Sequence, residues 1–129
     1  MLAVLVGASG AHAQVQACAK VSSAIDAIAK RVPDLAKSGI KPRMAVVRIG
    51  TKAALALAYA RDDGWSEEEL APLAAIRDLR EPDESGQTIP SAEIPALLRT
   101  HVLTLGDVMH EKCPNTQIAD VAALLPETE

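Results

Sequence analysis

No stretch of the 129 residues alternates apolar and polar side chains for long enough to make a half-buried strand, whereas apolar residues three and four apart recur along most of the chain. That spacing is helical, because 3.6 residues per turn bring such positions back to one face. The sequence therefore predicts an all-α protein. Its interior has to be built from small and aliphatic groups: phenylalanine is absent, Trp65 is the one tryptophan and Tyr59 the one tyrosine. Helices faced with Ala, Leu, Val and Ile pack with their axes close together, since the separation follows the side chains at the contact.

Four helices and a short fifth are expected. The first runs from about Ala17 to Lys37 with Cys18, Val21, Ile25, Ile28, Val32 and Leu35 on one stripe, stopped by Ser38-Gly39. Pro33 should kink it or split its last turn. The second, from about Arg43 to Asp62, is apolar around most of its circumference, as expected of a central helix or one that faces a partner. Within it, Gly50 and Ala54 stand four apart, small enough for another helix to approach closely, inside the bundle or across a dimer.

The third helix has the clearest start. Ser66-Glu67-Glu68-Glu69 is a capping box, with Trp65 placed to staple onto Leu70, and the helix should end at Arg80-Glu81-Pro82 after Pro72 disturbs its second turn. Residues Glu81 to Pro90 are polar and turn-forming and read as a mobile loop. The fourth helix spans about Ser91 or Ile94 to Lys112, burying Ile94, Leu97, Leu98, His101, Leu105 and Val108, and a last short helix covers about Thr116 to Leu125. Short connections favour antiparallel neighbours, giving an antiparallel four-helix bundle with a short C-terminal helix.

Leu2 to Ala8 is a short apolar run followed by Ala11-His12-Ala13, which has the small-residue pattern of a signal-peptidase site, although no basic residue precedes the run. Residues 1–13 are accordingly expected to be a signal peptide, the alternative being an ordinary apolar N-terminal helix or strand, and 14–129 a single helical domain that works in the bacterial periplasm or outside the cell. In such a compartment a cysteine pair stays oxidised, and the up-down order of the helices puts Cys18 and Cys113 at the same end. A Cys18–Cys113 disulfide is expected to close the bundle. A weak lipobox, Val15-Gln16-Ala17, gives the competing reading of Cys18 as a lipidated residue. No transmembrane segment is expected in the mature chain, because the run is well short of the ~20 residues needed to span a bilayer.

The net charge of −4 argues against nucleic acid, which calls for a basic excess, and the scarcity of aromatic rings leaves no platform for stacking bases. No nucleophile elbow in the mature chain, no metalloprotease helix, no phosphate-binding glycine loop and no haem attachment motif is present, so no cofactor is implied. The acidic group Asp62, Asp63, Glu67, Glu68 and Glu69 reads as charge placed favourably at a helix N-terminus. His101, on an apolar stripe, is a candidate pH-sensitive core residue.

Lys41, Arg48 and Lys52 fall along one side of the second helix, with Tyr59 farther down the same face. Arg48, Lys52 and Tyr59 are the candidate binding residues, either as a contact for an acidic partner or as an ordinary solvated face. The expected role is non-catalytic binding of another protein, as a periplasmic chaperone or an inhibitor or immunity protein does, or pairing with itself as a homodimer. The alternative is a small enzyme or metal-handling protein that uses His110 and Cys113, three residues apart on one helix face, with Asp107 a turn earlier.

Overall fold

The computed structural model describes residues 2–114 and 121–125. Four α-helices follow one another as α1 (Leu2–Leu35), α2 (Lys41–Asp62), α3 (Glu67–Asp78) and α4 (Ile94–Lys112). Short 3-10 turns cover Ser91–Glu93 and Val121–Leu124. There is no strand among the described residues. Helix α1 packs on α2, α2 on α3, α3 on α4 and α4 on α1, which closes the four into a ring around one core.

Side-chain pairs show the antiparallel order. Lys20, midway along α1, lies over Tyr59 near the end of α2, while Leu35 at the end of α1 leads straight into α2, and Lys112 at the end of α4 pairs with Glu69 at the start of α3. Cys18 and Cys113 are joined, with Cα atoms 5.8 Å apart, so the middle of α1 is tied to the C-terminal end of α4. The up-down topology and the disulfide expected from the sequence are both present.

Gly39 ends the first connection at φ +79°, a left-handed conformation that suits glycine, so the predicted stop lies where α1 gives way to α2. Pro42 and Pro95 sit in the first turns of α2 and α4, where a missing N–H costs nothing. Two prolines expected to disturb helices are accommodated within them. Pro33 falls in the last turn of α1, and Pro72 is buried inside α3.

The predicted boundaries shift in two places. Helix α1 begins at Leu2 instead of Ala17, so the N-terminal apolar run and the first helix form one continuous segment. That run lacks a helix breaker other than isolated glycines, which a helix tolerates at ~1 kcal/mol each. Of the short C-terminal helix, Val121–Leu124 is a 3-10 turn, and the part from Thr116 to Asp120 lies outside the described residues. The Glu81–Pro90 segment has no helix or strand and contains one hydrogen-bonded turn: Asp83 Oδ1 accepts from the backbone N–H groups of Ser85 and Gln87 and from the Ser85 hydroxyl, and the Gln87 carbonyl accepts from Asp83 N.

The core is wholly apolar among the described residues. Val21, Ile25 and Ile28 from α1 meet Ile49, Ala53 and Leu57 from α2, Leu73 and Ile76 from α3, and Leu98, Leu105 and Met109 from α4. Close approach is concentrated at Gly50. A Cβ built there would lie 2.8 Å from Arg80 Cδ and 3.0 Å from the Arg77 carbonyl oxygen, so the small residue serves α3 inside the bundle.

Candidate functional site

The buried face of α4 explains what becomes of its histidines. The disulfide holds Cys113 inward, and counting back at helical spacing places Met109, Leu105, Val102, Leu98 and Ile94 on the same face, all buried. The predicted stripe is therefore turned slightly: Leu97 and Val108 pack against its margin, and His101 is half-buried at the edge. Partial burial disfavours the charged imidazole and holds His101 below the ordinary histidine value of 6.5.

His110 and Asp107 are exposed, and the sulfur of Cys113 is bonded to that of Cys18. The alternative metal or thiol site at His110 and Cys113 is corrected on this point, because a disulfide sulfur is neither a thiolate ligand nor a nucleophile. The same bond removes the lipidated reading of Cys18. Among the described residues no group of three or more His, Cys, Asp or Glu side chains stands close enough to hold a metal ion.

The α2 candidates occupy one outward stripe. Lys41, Met44, Arg48, Lys52, Leu55 and Tyr59 recur at intervals of three and four residues, and all but half-buried Tyr59 are exposed. Val47 lies beside them, 44 % exposed, as Met44 is, with Leu55 at 43 %. These apolar side chains have no cover from the bundle, since the opposite face of α2 already supplies Ala45, Val46, Ile49, Ala53 and Leu57 to the core. Exposed apolar groups are ordinary when scattered. Val15, Ile40, Leu103 and Leu124 are exposed singly elsewhere, whereas Met44, Val47 and Leu55 fall on one helix.

Three adjoining depressions, of about 320, 270 and 170 Å³, run along the α1–α2 seam beside this stripe. The first is walled by Ser22, Ser23, Asp26 and Lys30 of α1 and by Lys52 of α2. Ala27, Arg31, Arg48 and Thr51 line the second, and Arg31, Lys41 and Met44 the third. Their linings share Arg31, which makes them one shallow groove.

The groove is positive in an acidic protein. Lys30, Arg31, Lys41, Arg48 and Lys52 line it against Asp26 and Asp34. Asp34 is engaged by Lys37, Nζ to Oδ1 2.9 Å, and this hydrogen bond, aided by the nearby charges of Lys41 and Arg31, holds its carboxyl below the ordinary aspartate value. At the far end the Lys20 ammonium sits 5.2 Å from the centre of the Tyr59 ring, a cation–π distance.

Sequence reasoning placed Lys41, Arg48, Lys52 and Tyr59 on one face, and the structure brings them together. It missed the α1 wall, Lys30 and Arg31 above all. These residues lie off the apolar stripe of α1, and a single helix gives no signal for which polar flank faces a neighbour. Comparison with protein-family models, with curated proteins and with solved structures finds no match.

Proposed function

We propose that this chain is a small exported, non-catalytic protein-binding domain whose contact surface is the outward stripe of α2. The observation that carries this reading is the line of half-exposed apolar residues, Met44, Val47 and Leu55, interleaved with Lys41, Arg48 and Lys52 on a helix whose other face is fully used by the core. A helix that presents apolar anchors at three- and four-residue spacing has the form of a recognition element. Working in the periplasm or outside the cell agrees with the Cys18–Cys113 bond, which an oxidising compartment maintains. No helix among the described residues is long and apolar enough to cross a membrane.

The test is site-specific cross-linking in the producing cell. A photoreactive side chain at Val47 or Leu55 is expected to give a discrete protein adduct, and the same probe at exposed Asp107 of α4 none. Equal adducts from both helices, or none from α2, overturn the reading. Intact mass before and after reduction tests the compartment: export through the expected signal predicts a chain beginning at Gln14 with both thiols blocked until reduction. A mass that retains residues 1–13 overturns cleavage there. A chaperone is further expected to bind an apolar dye on acidification, whereas an inhibitor or immunity protein stays folded and holds one target.

A further inference from the structure

We infer that the α1–α2 groove is built to receive an acidic amphipathic helix of a partner protein, with its apolar stripe on Met44 and Leu55 and its carboxylates on Arg31, Arg48 and Lys52. This rests on the protein-binding reading above and names the chemistry of the partner. Three observations support it: length, shape and charge.

On α1 the groove's lining runs from Ala19 to Asp34, 15 residues or about 23 Å at 1.5 Å per residue, and the α2 stripe beside it continues past the groove to Leu55 and Tyr59. That is room for a helix of about four turns. The floor on the α1 side is made of small residues, Ala19, Ser22, Ser23 and Ala27, so a third helix can settle between the two walls.

Charge selects the occupant. From Lys41 to Arg61 helix α2 carries five basic residues and no acidic one, in a chain whose net charge is −4. A second copy that paired through the same face about a twofold axis would set Arg48 and Lys52 against like charges. Self-pairing through this groove is thereby disfavoured, and a carboxylate-flanked helix is favoured. An anionic membrane would satisfy the same charges, but the surface is concave and holds Asp26 and Asp34 within it, which suits a narrow ligand better than a broad anionic sheet.

The oxidised protein is titrated with a helix-stabilised 15-residue peptide bearing Leu on one stripe and Glu on its flanks, and with the same peptide bearing Lys for Glu. Binding is followed by fluorescence anisotropy and mapped by amide chemical shifts. The acidic helix should bind, shift α1 and α2 amides only, and weaken at least tenfold when salt is raised, because screening shortens the reach of exposed charges. R48E/K52E should lose at least tenfold for the acidic helix and gain affinity for the Lys helix, an inversion that an unfolded variant cannot give. M44S/L55S should weaken the acidic peptide with its salt dependence kept.

Equal binding of the two peptides, shifts outside the groove, no binding of the acidic helix, or tighter binding to phosphatidylglycerol vesicles than to the peptide overturns the proposal. If the α2 cross-links form while the acidic helix fails, the protein-binding reading stands and the acidic partner falls. Failure of both removes both.

Discussion

Two glycines in helices show how one position is decided by its neighbours. Gly50 and Gly106 both lie inside helices, where alanine is preferred by about 1 kcal/mol. At Gly106 a Cβ would meet nothing within 4 Å, so Gly106→Ala is expected to stabilise by up to about 1 kcal/mol. At Gly50 the new carbon would strike the Arg77 carbonyl and the Arg80 side chain, and overpacking costs about 1–3 kcal/mol. Gly50→Ala should therefore lose stability on balance. Denaturant melts of the two variants check the pair, and a stabilised Gly50→Ala would show that α3 can retreat freely. His101 is a residue-scale effect of another kind. Its folded value lies below 6.5, so the unfolded chain takes up the proton first, and stability that is complete above pH 6.5 is lost as pH falls through the folded value. His101→Gln should flatten the melting profile below pH 6.5. Parallel profiles for variant and wild type would remove His101 from any acid response.

Among the elements, α3 is the one whose start is written most completely in the chain. The Ser66 hydroxyl accepts from Glu69 N at 3.2 Å, and Glu69 Oε1 accepts from Ser66 N at 2.8 Å, the reciprocal pair that the Ser-x-x-Glu pattern implies. Ser66→Ala is expected to cost about 0.5–2 kcal/mol, read as a lower denaturant midpoint. Glu69 has a second task that sequence could not disclose, because its partner Lys112 lies at the far end of the chain, 3.2 Å away. The Ser66 amide, together with Lys112, holds the Glu69 carboxyl below its ordinary 4.5, so this contribution is present above pH 4.5 and lost as pH falls through the folded value. Glu69→Gln keeps an acceptor for the cap and removes the ion pair. It should destabilise less than Ser66→Ala and reduce the acid dependence of the melt; an unchanged pH profile would mean the pair contributes nothing. Local patterns were legible for the same reason: caps and apolar stripes are settled within a few residues. The exact rotation of α4 was not, because it is fixed from outside by the disulfide at Cys113, and the groove was not, because half of it belongs to another helix.

At the scale of the whole molecule the Cys18–Cys113 bond is the longest covalent constraint, spanning 95 residues, and it was inferable only by combining topology with the expected compartment. Its energetic role follows from loop closure. A cross-link of that span restrains the unfolded chain by on the order of 4–5 kcal/mol in the chain-entropy model, against a total stability of about 5–15 kcal/mol for a domain. The core it supports interleaves Ile and Leu side chains with alanines at buried positions 17, 24, 45, 53, 56 and 60, and burial of those small side chains contributes less per residue. A domain of this kind should depend on its disulfide more than a Phe- and Leu-rich bundle of equal length. Replacing both cysteines by serine is therefore expected to lower the denaturant midpoint steeply and to raise the slope of the transition, because a chain released from the cross-link exposes more surface when it unfolds. The partner groove should survive in the fraction that remains folded, since the seam that forms it lies between α1 and α2, which the short Gly39 connection holds together without the bond. A reduced protein that melted at the oxidised midpoint would place the stability in the helix packing alone and leave the disulfide no structural role.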